Sequence, residues 1–166
     1  MGENADTQAQ QPPSSPGPQH ERLGVFVGKW KSDGPTYAEG QSNETLKAST
    51  VRMRSDDTFE WLPGGFFLVH HWDGMVGKQP FRGLEIIGYD ESSRSYSSRF
   101  FDDQGNCPVY RITEHDGVWT YTGDRQCATF TFDSTGDSMT IHWDWSLDGV
   151  DWKPVCDLKA VKILKA

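Results

Sequence analysis

The sequence predicts an all-β fold, an antiparallel up-and-down barrel of about eight to ten strands capped by a short N-terminal helix. From residue 36 onward, turn signals recur every eight to fourteen residues, and the segments between them show no helical period. Aromatic residues make up 13% of the 166-residue chain and include seven Trp and nine Phe, an abundance typical of β-structure. A sandwich of two sheets is the alternative that fits the same pattern.

Residues 1–18 are predicted to form a disordered tail, followed by a single β-barrel domain over residues 19–166. Gln, Pro, Ser, Gly and Ala dominate the tail, and Met1 and the prolines are its only apolar side chains of any size. Such a composition buries too little apolar surface to offset the entropy lost on ordering. We therefore expect the tail to be dispensable for folding.

The segment 20–30 is the best helix candidate in the chain. Leu23, Phe26, Val27 and Trp30 recur there at three- and four-residue spacing. A helix of about two turns is too short to be stable alone, so its apolar stripe must pack on another part of the fold. We expect Leu23, Phe26 and Trp30 to cap one end of the barrel.

The remaining chain reads as strands separated by turns. Asp116-Gly117 is a strong hairpin signal, and Asp148-Gly149 joins the last two predicted strands. The predicted strands are 36–39 paired with 44–54, a short piece at 58–62, and then 66–73, 81–89, 95–102, 108–115, 118–123, 126–133, 138–146 and 151–164.

The predicted strand 66–73 combines four consecutive apolar residues with two histidines, a tryptophan and an acid. Because side chains alternate along a strand, His70 and Trp72 share one face, whereas His71 and Asp73 share the other. Both faces are apolar at the start and polar at the end, which suits a barrel wall that is packed outside and lines a cavity inside. We expect His70 and Trp72 to point inward.

Other strands differ in how clearly they identify the inward face. Strand 138–146 alternates between an apolar face and a polar face that carries His142 and Asp144, so the apolar face is expected inside. Strand 81–89 leaves open which face, that of Glu85 or its opposite, points inward. Arg99 shares its face with Ser97 and Phe101. The apolar residues expected inside are Trp119, Tyr121, Ala128, Phe130, Phe132, Met139, Ile141, Trp143 and Trp145.

A series of short motifs appears in order along residues 19–163: His20-x-x-Leu23, Gly28-x-Trp30, Pro63-Gly64-Gly65-Phe66, Pro80-Phe81-x-Gly83, Gly88-Tyr89-Asp90, and Ser146-Leu147-Asp148-Gly149 with Trp152. With these motifs the chain resembles the DUF1579 family of small proteins of unassigned function, which look like lipocalin-type (calycin) barrels. The resemblance implies a calycin-like barrel with a short N-terminal helix and a lumen. It brings no catalytic residues with it.

The sequence favours a protein that binds a small, largely apolar molecule in the lumen of its barrel. Glu85 and Arg99, together with His70, are expected to orient the ligand. The predicted ligand-binding residues are His70, Trp72, Trp119, Tyr121, Phe130 and Trp143.

A cofactor-free isomerase, cyclase or hydratase acting on a hydrophobic substrate is the alternative function. Its candidate catalytic residues are His70, Glu85, Arg99 and Tyr110, because burial shifts the pKa values of such groups toward useful ranges. The chain lacks a Gly-x-Ser-x-Gly elbow, a P-loop and a dinucleotide fingerprint. A structural or interaction role for a filled barrel is the third hypothesis.

No metal and no other cofactor is predicted. The spacing His-x-Asp places two ligands on one strand face and occurs at His71-x-Asp73 and His142-x-Asp144, so a metal site would need these two strands to lie side by side. The adjacent His70 and His71 diverge to opposite faces. Haem binding needs an axial histidine, and the last predicted strand contains none.

Charge and cysteine content restrict the partners further. The net charge of −8 and the absence of a Lys/Arg cluster argue against nucleic acid, and no apolar run reaches the length of a membrane span. Cys107, Cys127 and Cys156 form no CxxC pair, which favours free thiols in a reducing compartment. We therefore expect a cytoplasmic protein whose partner is a small hydrophobic molecule; a homo-oligomer is compatible with the sequence.

Overall fold

The computed structural model describes residues 15–37 and 51–163. Residues 1–14 of the predicted tail, and residues 38–50 with the predicted strand segments they contain, lie outside the described part. The elements are a helix α1 (Pro18–Arg22), a 3₁₀-helix (Leu23–Phe26), and strands β1 (Gly28–Thr36), β2 (Val51–Trp61), β3 (Phe67–Val76), β4 (Gln79–Asp90), β5 (Ser95–Asp102), β6 (Val109–His115), β7 (Val118–Thr122), β8 (Gln126–Phe132), β9 (Ser138–Trp145) and β10 (Lys153–Lys162).

The ten strands form one closed antiparallel barrel. Each strand pairs with its neighbours in the sequence, and β1 pairs with β10 to close the ring. This topology confirms the predicted all-β up-and-down barrel and rules out the two-sheet sandwich. The predicted strands from residue 66 onward agree with β3 to β10 to within about three residues at each end, because turn signals mark nearly every junction.

The first two strands differ from the prediction. β1 begins at Gly28 rather than at Thr36, and β2 is one continuous strand rather than two pieces. The inward positions of β2 include the buried polar residues Ser55 and Asp57, so the apolar alternation that normally identifies a strand is missing there. Because its inward positions carry polar residues, β2 was not recognised in the sequence as one continuous strand.

The predicted N-terminal helix is confirmed but is shorter than expected, and Trp30 belongs to β1. The chain leaves the 3₁₀-helix through Gly28, whose φ of +136° is accessible mainly to glycine. Trp30 nevertheless joins the cap, because its Nε1 donates a hydrogen bond to the carbonyl of Phe26 at 2.7 Å. Leu23, Phe26 and Trp30 are all completely buried, so their helical spacing reflected shared burial rather than one helix.

The two short helices close one end of the barrel, called here the capped end. The ring of Phe26 lies 5.4 Å from that of Phe59, 5.2 Å from Trp119 and 5.0 Å from Phe132. The opposite end, called here the open end, is where β3 joins β4 and where β5 joins β6. In the described segments, neither helix has the length and hydropathy needed to cross a membrane.

Candidate functional site

A buried histidine bridges two carboxylates in the middle of the lumen. His70 on β3 donates from Nδ1 to Glu85 Oε2 on β4 at 3.0 Å and from Nε2 to Asp57 Oδ1 on β2 at 3.0 Å. β3 pairs with both neighbouring strands, and the direct partner of His70 on β4 is Glu85. Asp57, His70 and Glu85 are called here the ionic triad.

The ionic triad carries more negative than positive charge. Burial alone would lower the pKa of His70, but the hydrogen bonds and charges of Asp57 and Glu85 outweigh burial and raise that pKa from 6.5 to about 9. Burial opposes ionisation of Asp57 as well, yet its bonds to His70 keep the pKa of Asp57 below the usual value. At neutral pH one imidazolium therefore faces two carboxylates.

Hydroxyl groups and an aromatic ring hold the ionic triad in place. Ser32 and Ser55 donate to Asp57 Oδ2 at 2.7 and 2.8 Å, respectively. The ring of Phe59 stacks on His70 with centroids 3.9 Å apart and planes within 7° of each other. Asp57, Ser32 and Ser55 were not among the predicted site residues, because Ser32 precedes the first predicted strand and residues 55–57 lie between the predicted strands 44–54 and 58–62. The alternating positions of Ser55, Asp57 and Phe59 were the sequence signal that could have predicted one continuous strand with these side chains on the same face.

Two buried tyrosines lie near Glu85. Burial, followed by the charge of Glu85 and a side-chain hydrogen bond with Glu85, raises the pKa of Tyr121 well above its ordinary value, whereas burial and the charge of Glu85 raise the pKa of Tyr110. Both phenols therefore keep their protons and act as hydrogen-bond donors. The Tyr110 hydroxyl donates to Gln126 Oε1 at 2.5 Å, so this donor already has a partner.

The predicted lumen aromatics fall into two groups. Trp119, Tyr121 and Phe130 are buried; Trp119 and Phe130 pack beneath Phe26 at the capped end, and Tyr121 packs against Phe130. Trp72 and Trp143 lie nearer the open end and are only partly buried.

Phe100 connects the aromatic groups on opposite walls near the open end. Its centroid lies 5.5 Å from Trp72, 5.0 Å from Tyr110 and 6.1 Å from Trp143. Trp72, Phe100, Tyr110 and Trp143 are called here the aromatic belt. Three of its four rings, those of Trp72, Phe100 and Trp143, point inward and yet remain partly exposed.

The structure confirms the predicted inward orientation of two lumen residues on β3 but not that of a residue on β5. His70 and Trp72 point inward as expected, whereas His71 is exposed on the outer face. Arg99 is also exposed outside, so the expectation that it orients a ligand in the lumen is wrong. Because side chains alternate on β5, Ser98 and Phe100 occupy the inward positions, and the guanidinium of Arg99 instead lies 5.8 Å from the Phe101 ring on the outer face.

The histidines do not form the geometry that a shared metal site would need. His71 and His142 lie on β3 and β9, which are not neighbours in the barrel. His142 is already flanked by Asp157 at 2.5 Å and Asp144 at 2.9 Å. Across residues 15–37 and 51–163, no three His, Cys, Asp or Glu side chains are arranged to hold a metal ion.

A second concave surface lies on the outer wall of the barrel. This groove has a volume of about 1210 Å³ and is lined by exposed apolar side chains of β3 to β6, including Phe67, Ile86, Phe101 and Val109. These four residues occupy the outward positions of their strands, and His20, Tyr89 and Ser98 also border the groove. No function was predicted from the sequence for the four apolar residues of this outer groove.

Residues 15–147 match the family described as "Protein of unknown function (DUF1579)". The chain belongs to this family. The motif-based resemblance to DUF1579 is therefore confirmed over most of the chain. Among curated proteins, no relative matches this DUF1579 member.

Solved structures share the fold of this DUF1579 protein. The crystal structure of Rv2717c from M. tuberculosis superposes with a TM-score of 0.61 at 10% identity, covering 89% of this chain and 99% of that chain. The S-type phycobiliprotein lyase CPES from Guillardia theta also has a TM-score of 0.61, at 14% identity, covering 89% of this chain and 94% of that one. At such low identity, the likeness demonstrates a common barrel fold.

Proposed function

We propose that this protein binds a small, largely apolar molecule at the open end of the lumen. The observation that carries the proposal is the partial exposure of Trp72, Phe100 and Trp143, whose side chains all point inward. Inward-facing rings that remain exposed offer stacking surfaces for a flat ligand, whereas Trp119 and Phe130 are already covered. The structural neighbours, one of them titled a phycobiliprotein lyase, support the proposal only through their barrel fold.

Binding accounts for the lumen better than catalysis does. Both ring nitrogens of His70 already donate to carboxylates, so neither is free to take a proton from a substrate. The Tyr110 hydroxyl is likewise engaged with Gln126. The catalytic roles considered for His70, Glu85 and Tyr110 stay predictions.

Fluorescence titration with N-phenyl-1-naphthylamine, a neutral apolar probe, tests the proposal. We expect saturable probe fluorescence together with quenching of tryptophan emission, and we expect Trp143→Ala to weaken binding while circular dichroism confirms a folded barrel. The adjacent residues Phe100 and Phe101 provide a matched pair, because the same Phe→Ala change removes an inward ring in one case and an outward ring in the other.

Phe100→Ala is expected to weaken probe binding, whereas Phe101→Ala leaves it unchanged. The reverse result would place the probe in the outer groove and overturn the lumen proposal. Probe binding no stronger than that to an unrelated protein would mean that the barrel is filled, favouring a structural or interaction role.

A further inference from the structure

Three buried polar atoms on one wall of the lumen have no hydrogen-bond partner. They are Trp72 Nε1 on β3, Glu85 Oε1 on β4 and Ser98 Oγ on β5. A buried polar group without a partner is costly, so such atoms require an explanation when they occur together. Each of the three lies on an inward position of neighbouring strands.

The strand register brings these three residues to the same part of the wall. Glu85 lies opposite Phe100 across β4 and β5, and Ser98 occupies the next inward position on β5, opposite Ile87. Trp72 lies opposite Gly83, one inward position closer to the open end than Glu85. Trp72 and Ser98 therefore lie on either side of Glu85 along the barrel axis, Trp72 toward the open end and Ser98 toward the capped end.

Gly83 leaves the space that the Trp72 indole occupies. A Cβ at this position would lie 2.2 Å from Cζ2 of Trp72 and 2.4 Å from the carbonyl oxygen of Phe101, so no larger residue fits. The indole therefore lies across β4 between Glu85 and the open end. Because Trp72 is only partly buried, its ring is the group that an entering molecule meets before Glu85.

The charge of the wall selects among ligands. Glu85 is 2% exposed, and only one of its two carboxylate oxygens is bonded to His70. The other oxygen accepts hydrogen bonds but cannot donate one, and the ionic triad has one more negative than positive charge. An anionic ligand would be repelled there, whereas an N–H group would supply a hydrogen bond to Glu85 Oε1, which the nearby Tyr121 hydroxyl leaves without a partner.

We infer that the ligand is a planar molecule carrying an N–H donor, which reaches Glu85 Oε1 while its ring stacks within the aromatic belt. This inference rests on the proposed function, because it specifies the chemistry of a molecule bound at that same site. It assigns Glu85 the role of the residue that discriminates between donor-bearing and donor-free ligands of equal shape.

Indole, 1-methylindole and benzofuran form a set of probes that separates shape from hydrogen bonding. Indole has the N–H donor, 1-methylindole has the same ring with the donor blocked, and benzofuran has an ether oxygen in its place. Isothermal titration calorimetry with the wild-type protein should show indole binding about tenfold more tightly than either analogue, as expected for a buried hydrogen bond to a charged group.

Glu85→Met tests which residue is responsible for the preference. The variant keeps roughly the size of the side chain, has no oxygen to accept the N–H, and leaves His70 paired with Asp57, so we expect the affinity for indole to fall to that for benzofuran. Glu60→Met is the matched control, because Glu60 is exposed on the outer face of β2 and its replacement should preserve the tenfold preference.

The outcomes separate this inference from the proposed function. Equal binding of all three probes would overturn the inference and leave the proposed function standing. Binding of none of them, together with failure of the naphthylamine probe, would remove both. A preference for indole that survives in folded Glu85→Met would show that a group other than Glu85 accepts the N–H hydrogen bond, and would overturn the inference. Should that variant fail to fold, the wild-type comparison with 1-methylindole still decides whether an N–H is required.

Discussion

His70 shows how one residue sets both the charge and the stability of the lumen. Its ring is 12% exposed, is stacked on Phe59 and donates to a carboxylate on each side. Removing the imidazolium would leave Asp57 and Glu85 facing each other in a buried site, and uncompensated buried charges are strongly destabilising. The same residue that shapes the site is therefore needed for the fold.

The free energy of unfolding is predicted to fall between about pH 6.5 and pH 9. The folded pKa of His70 is raised to about 9 from an ordinary value of 6.5. Its contribution is therefore fully present below pH 6.5 and is lost as pH rises through 9, a change on the order of 3 kcal/mol. Urea unfolding at half-unit pH intervals measures it.

Two neighbouring histidines provide the control for this prediction. His70→Gln should flatten the pH profile between pH 6.5 and 9, whereas His71→Gln, at an exposed outer position, should retain the wild-type slope. Equal slopes in both variants would show that the pH dependence arises elsewhere in the molecule.

The candidate site was predictable from the sequence where local alternation was clear. His70 and Trp72 were correctly placed inside because they follow an apolar run on one strand face. Glu85 was named, although its strand did not reveal which face was inward. Asp57 was missed because the pairing of strands that brings it to His70 is a tertiary property that no local pattern records. Arg99 was misplaced because both faces of β5 mix polar and aromatic residues, so alternation does not identify the inward face there.

At the scale of elements, the cap and the aromatic strands act as one packed unit. Phe26 is completely buried against rings from three strands, including Phe59 on β2 and Trp119 on β7. A helix this short has little stability of its own, so these contacts hold it in place. The sequence predicted the packing of Leu23, Phe26 and Trp30 and a helix end at Gly28, but not that a strand containing Trp30 begins at Gly28.

Phe26→Ala is predicted to lower the free energy of unfolding by about 3–5 kcal/mol, through lost apolar burial and the cavity that remains. Phe67→Ala is the matched control, because Phe67 is 48% exposed on the outer wall and its loss should cost much less. Chemical denaturation of both variants measures the difference. Similar denaturation midpoints for the two variants would show that the Phe26 ring does not stabilise the barrel by capping it.

In the whole molecule, the N-terminal tail meets the barrel at the start of helix α1. Composition predicts that the tail ends at residue 18, whereas α1 already begins at Pro18. The carbonyl of Gly17 accepts hydrogen bonds from the backbone N–H groups of His20 and Glu21 at 3.0 and 3.2 Å. The residues just before the helix therefore contribute to its first turn.

Removal of residues 1–14 is predicted to leave the thermal midpoint unchanged, because their composition favours no burial. A chain beginning at Pro18 lacks the Gly17 carbonyl and should melt about 2–4 °C lower. Differential scanning calorimetry of both chains measures the two midpoints. A large drop on removal of residues 1–14 alone would show that this segment packs on the barrel.

The pairing of β1 with β10 has a consequence for how the protein is made. It joins Trp30 to Lys162, so the ring cannot close until β10 has left the ribosome. Every pair from β1–β2 to β9–β10 forms between neighbours in the sequence, but the second edge of β1 and that of β10 each wait for the other strand. Until that moment the nascent protein is an open sheet with two unpaired edges, and it is then most exposed to association with other chains.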